Sequence, residues 1–253
     1  MTLAIRHTVA LTRRQLLNLW RQPWFVAITV VQPLIWLLLF GQLFKRVVEL
    51  PGFHGGSYIQ FLTPGVLIMS ALFAGGWHGM GYIEAMDRGI MDRFLVTPAW
   101  RGALVAAGFL YGAVVIVVQS LVIVAVAFAA GASFSAGQVL AMFVLAILLG
   151  GGVAALSDAL ALVARQEETL IGAVQFVILP ATFLSSGMMA SDLLPGWIGD
   201  VARFNPVNWA VVGARVGSAD WTIVGERAAW LAALLLVCAW LATRALRVYQ
   251  RSV

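Results

Sequence analysis

Charge is what this chain has least of. Only 11% of its 253 residues are charged and 62% are hydrophobic, whereas a soluble domain carries roughly 25% charged residues. A chain so poor in charge cannot coat a globular surface, and no stretch of it reads as a soluble domain. Lysine occurs once, at Lys45, with no glycine-rich run before it. A GxxxxGK[ST] phosphate loop is therefore excluded, and the chain cannot itself be a P-loop ATPase. The single cysteine, Cys238, excludes an internal disulfide and leaves the compartment open. His7, His54 and His78 stand alone, at no spacing that suggests a metal site. For His78, late in an apolar run, a packed or interfacial histidine is the preferred reading over a proton relay. No catalytic, cofactor-binding or metal-binding residue is expected. The polar residues inside the apolar runs are neutral (Gln32, Gln119, Ser120, Gln175, Thr182). Ion-coupled carriers place acids or bases at that depth, so the spans lack the buried charge of a secondary carrier.

What the chain has is apolar length. Residues 3–22 place Ile5, Val9, Thr12, Leu16 and Leu19 on one helical side and Arg6, Arg13, Arg14 and Arg21 on the other. That is an amphipathic helix suited to the headgroup plane; no small-residue cleavage site follows it, against a signal peptide. Charge-free runs then predict spans over Trp24–Phe44 and about Tyr58–Tyr82, with a kink at Gln32-Pro33. From Gly102 to Ser157 no residue is charged, which is too long for one crossing, and GASFSAG (131–137) divides it into two helices. Asp158 falls near the far membrane face. A fifth span runs from Leu170 to about Met189 and a sixth from about Glu226 to Ala242. Residues 190–226 are too broken to cross once and too apolar for a free loop, so two short helices dipping into the interface are expected.

Between the second and third spans lies Glu84–Arg101, with six charged residues. Glu84, Arg88 and Asp92 share one helical face, and Met86, Ile90 and Phe94 form a separate apolar ridge. Thr97-Pro98 ends the helix. This pattern suits docking on a soluble partner, and an ordinary solvated loop accounts for it as well. Six spans put both termini on one side. Eleven Lys and Arg residues fall there and five on the other, so the termini and Glu84–Arg101 are expected in the cytoplasm. The net charge of +5 thus reads as topology, with no nucleic-acid surface.

Two local patterns bring a family into view. One is Glu84, Arg88-Gly89, Phe94-Leu95, Thr97-Pro98 and Arg101; the other is Phe204-Asn205-Pro206 followed by Arg215. With the amphipathic helix and six spans, the chain resembles the permeases of type 2 ATP-binding-cassette exporters, closest to the daunorubicin-resistance and nodulation-export branch. The resemblance implies an all-α membrane protein, one permease domain over residues 1–253. It has six transmembrane helices, an N-terminal interfacial helix, a cytoplasmic coupling helix at 84–101 and a broken extracellular re-entrant segment at 190–226. It implies ATPase-coupling roles for Glu84, Asp87, Arg88, Gly89, Asp92, Arg93, Thr97, Pro98 and Arg101. Phe204, Asn205, Pro206 and Arg215 would belong to an extracellular gate segment.

The same resemblance implies a bacterial cytoplasmic membrane and a second permease copy, identical or sister, paired along the first and fifth spans. Two copies of a separate P-loop ATPase would hold the ATP and magnesium, with no cofactor in this chain. The short first external loop favours a drug-like or lipid-like cargo moved outward. A membrane-embedded lipid-modifying enzyme lacks a convergent polar cluster in the sequence, and a non-transporting scaffold is the remaining rival.

Overall fold

The structure, a computed structural model, describes residues 2–20, 23–46, 57–89, 91, 101–188 and 195–252. Among them the secondary structure is entirely helical. In chain order the helices are α1 (Thr2–Trp20), α2 (Pro23–Leu43), α3 (Tyr58–Gly76), α4 (Met80–Asp87) and α5 (Arg101–Ala129), followed by α6 (Ala136–Ala164), α7 (Glu167–Phe183), α8 (Gly196–Ala202), α9 (Pro206–Val216) and α10 (Trp221–Ser252). Long apolar runs leave the backbone no water to bond with, and the helix satisfies its N–H and C=O groups internally. Polar residues mark the starts. Ser57 accepts from the Gln60 amide ahead of α3, and Ser135 accepts from the Gln138 amide ahead of α6. Asp220 accepts from the amides of Thr222 and Ile223 at the head of α10. Each side-chain oxygen satisfies an amide the first turn would otherwise orphan. Pro33, Pro64 and Pro180 sit inside α2, α3 and α7, which continue through them.

The bundle is built around α6, which packs against α10, α3, α5 and α9. Close approach on the α3 side depends on small residues. Gly75 lies against the backbone of Gly150 and Ala154, and any Cβ at 75 would run into the Gly150 carbonyl oxygen. Small residues at such seams let helix backbones pack tightly where no hydrophobic force pulls helices together. Leu62, Leu67, Ile68, Leu145, Leu149 and Leu231 are fully buried in the core this creates. The outward faces are just as apolar. Trp24, Phe176 and Leu236 are 81%, 81% and 70% exposed on α2, α7 and α10. Large apolar side chains so exposed suit lipid or another chain, not water.

Four stretches among the described residues are long and apolar enough to cross a membrane: Tyr58–Asp87, Val105–Ala129, Ala136–Ala164 and Trp221–Arg251. They fall on the second, third, fourth and sixth of the expected spans. On the two remaining expected spans, α2 has 21 residues and α7 has 17. The division at 131–137 and the two short helices within 190–226 appear where the sequence put them, as α5/α6 and α8/α9. The last helix is longer than expected, opening at Trp221.

Candidate functional site

α4 carries the first part of the charged segment. The Arg88 guanidinium meets the Glu84 carboxylate at 2.6 Å, with the side chains 67% and 54% exposed. That is the i, i+4 contact expected of the ladder. Asp87 is also exposed. α4 itself stops there, however. Arg88 caps the helix and Gly89 takes φ +62°, a left-handed conformation that glycine adopts without steric cost. The single helix expected to run on to Thr97 is thus interrupted after Asp87, and Met91 beyond the interruption is again helical. Asp92, Arg93, Thr97 and Pro98 lie outside the described residues, and Arg101 opens α5. The apolar ridge does not wholly face outward either, since Met86 packs on the bundle core.

At the other end of the bundle, α9 grips the chain leaving α7. Asn205 caps α9, its Oδ1 accepting from the Val207 amide at 2.9 Å. Its Nδ2 donates to the carbonyls of Ala181 and Leu184 at 2.7 and 2.8 Å. Pro206 follows at the first helical position, where its missing N–H costs nothing. One turn on, Asn208 Oδ1 accepts from both the amide and the hydroxyl of Ser186, at 3.0 and 2.7 Å. Arg215 Nη2 donates to the Gly187 carbonyl at 2.9 Å while its guanidinium lies 3.8 Å over the Phe61 ring of α3. Burial lowers the Arg215 pKa to about 10, so it keeps its charge at neutral pH, offset by the ring and the carbonyl. Tyr58 donates to the Met188 carbonyl at 3.0 Å. Asn205 and Arg215, singled out from the sequence, converge on residues 181–188 together with Asn208 and Tyr58, which were not. Phe204 is 82% exposed and stands apart from this network. Ser185 donates to the Thr182 carbonyl at 2.7 Å.

Between these two ends runs a cavity of about 1030 Å³. Arg14, Glu84 and Arg88 line it at one extreme and Phe40 and Met188 at the other. Its lining on α3 and α4 extends from Val66 to Arg88, roughly 30 Å of helix. Trp36, Phe73, Phe109 and Tyr111 give it an aromatic wall, relieved by Gln32, Gln119 and Thr182.

One feature of the interior contradicts the expectation of spans without buried charge. His78, in the break between α3 and α4, donates from Nδ1 to Asp158 Oδ1 of α6 at 2.7 Å, with the side chains 9% and 5% exposed. His78 does not stand alone: it is packed, as preferred, but with a carboxylate partner. The two are 80 residues apart, so local spacing carried no sign of the contact. The available sign was an acid next to a serine inside a 29-residue apolar helix, since an ionisable residue in such a helix calls for a named partner.

The described residues thus form a helical bundle with four stretches able to cross a membrane and a cavity along its length. The chain matches the ABC-2 type transporter family over residues 6–218 and belongs to it. It is 26% identical over 213 residues to the putative transport permease ycf38 of Porphyra purpurea, covering 83% of this chain and 73% of the relative. It is 31% identical over 191 residues to the daunorubicin resistance ABC transporter permease protein DrrB1 of Streptomyces coeruleorubidus, covering 74% and 65%. The probable doxorubicin resistance ABC transporter permease protein DrrC of Mycobacterium tuberculosis is 23% identical over 243 residues, covering 94% and 87%. These relatives are named as transport permeases.

Proposed function

We propose that this chain is the permease subunit of an exporter, moving a drug-like or lipid-like amphiphile outward across a bacterial cytoplasmic membrane. The observation that carries the reading is the cavity joining the Glu84–Arg88 end to the gripped 181–188 segment. Its aromatic wall suits an apolar cargo body, and its amides and hydroxyls suit a polar head. Energy comes from a separate P-loop ATPase, two copies per transporter, which hold the ATP and magnesium. Each docks against the segment 84–101, with Glu84, Asp87 and Arg88 on α4 and Gly89 setting the turn that follows. Asp92, Arg93, Thr97, Pro98 and Arg101 take part in the same coupling. The chain forms one permease domain that crosses six times, with α2 and α7 as the first and fifth spans and both termini cytoplasmic. α1 lies at the inner interface, and α8 and α9 form the re-entrant outer segment.

The exposed apolar faces of α2 and α7 receive the second permease copy, closing the cavity between the two subunits. ATP binding draws the ATPases together, tilts the helices and opens the outer end, a rigid-body change of the kind seen when packed elements have two arrangements. The drug-resistance names of two relatives favour a drug-like cargo.

The test is replacement of Glu84 and Arg88. Their ion pair is largely solvated, so its loss changes stability by no more than about 0.5 kcal/mol. Export of doxorubicin into inside-out vesicles should fall while the chain stays folded and ATP hydrolysis continues. Export and cargo-stimulated hydrolysis that both survive would make the segment a plain loop.

A further inference from the structure

The break between α3 and α4 is held from one side by two consecutive residues of α6. Ser157 Oγ donates to the Gly76 carbonyl at 2.5 Å and accepts from the Gly79 amide at 3.1 Å. Asp158 holds His78. The backbone on both sides of the break and the side chain within it are therefore fixed to α6. Gly79 sits so close to Ser157 that a Cβ there would lie 2.5 Å from the Ser157 carbonyl oxygen. α4, with Glu84 and Arg88, continues directly from this joint.

The opposite end of α6 holds the outer segment. Gln138 Nε2 donates to the Arg215 carbonyl at 3.2 Å, and Ser135 and Ser218 share a hydrogen bond at 2.7 Å. Gly217 packs against Gln138. Arg215 in turn holds Gly187. Between Gln138 and Asp158 the helix is continuous and free of proline, about 30 Å long. Ile116, Phe109 and Leu235 fill the space beside its central glycines. A helix anchored at both ends and packed along its length transmits displacement instead of absorbing it.

We propose that α6 is the rod that carries motion from the coupling helix to the outer segment. Ser157 and Asp158 are positioning residues at the inner joint, and Gln138 at the outer one. Asp158 touches no cargo in this scheme; it acts through His78 on α4. The inference rests on the exporter reading above.

The test uses the complex of this chain with its co-purified ATPase in native membranes, in a Cys238→Ala background with Met188→Cys as reporter. A membrane-impermeant maleimide is added from outside with and without ATP–vanadate trapping. The parent should show a several-fold change in labelling rate on trapping. Asp158→Asn and Gln138→Ala should each abolish that change, and the double variant should do no more, because both interrupt one path. A purely structural role would lower the yield or melting temperature and leave the response of surviving complexes intact, which overturns the proposal. A parent that holds its ATPase yet shows no response overturns it too. A parent without an ATPase defeats the exporter reading itself. Where Asp158→Asn fails to assemble, Gln138→Ala at the partly exposed outer end carries the same expectation.

Discussion

Asn205 makes three hydrogen bonds with one amide group, and they can be removed selectively. Asn205→Ala loses the cap on α9, worth about 1 kcal/mol. It also loses the two donations to Ala181 and Leu184, worth about 1 kcal/mol each. The local loss is about 3 kcal/mol, or roughly 100-fold in the opening equilibrium. Asn205→Ser keeps an oxygen to cap the Val207 amide and loses the two donations, a loss of about 2 kcal/mol. Hydrogen exchange followed by mass spectrometry separates the two effects. In the Ala variant, protection should fall at Val207 and also at Leu184, whose amide bonds the Pro180 carbonyl. In the Ser variant it should fall at Leu184 and hold at Val207. Native-like protection at Leu184 in the Ala variant would refute the idea that Asn205 ties α9 to the end of α7.

Gly75→Ala places a methyl into the Gly150 backbone, which cannot rotate away, so a loss of about 1–3 kcal/mol is expected. Gly81→Ala, where a Cβ meets open space, should be neutral or stabilising by up to about 1 kcal/mol; melting in detergent, followed by tryptophan fluorescence, checks both. Asp220 is held below the usual aspartate range by the amides of Thr222 and Ile223. With its folded pKa depressed, its cap is fully present above the ordinary aspartate range and is lost as pH falls through the lower, folded value. Exchange protection at Thr222 should therefore decline in acid, and in Asp220→Asn it should lose that pH dependence.

The helical class was legible because charge-free runs have one backbone solution in lipid, and the GASFSAG break because its glycines and serines divide a run too long for one crossing. The cap at Asp220 was overlooked, so the last helix was expected to open only at about Glu226 and opens at Trp221. The end of α4 was misjudged because an i, i+4, i+8 charge pattern is indifferent to a left-handed glycine at position 89. Asn205 and Arg215 stood out in the sequence, yet their targets did not: those are backbone carbonyls of residues 181, 184 and 187, which have no sequence signature. The His78–Asp158 contact and the Gly75–Gly150 seam join helices distant in the chain, and nothing in either segment alone announces its partner.

The most direct measurement is purification of the tagged chain from native membranes in mild detergent, identifying what soluble protein travels with it. A stoichiometric P-loop ATPase, lost when Glu84 and Arg88 are replaced together, is the result expected of a permease driven through that segment. A clean preparation without an ATPase, from membranes where the chain is folded and abundant, would contradict it.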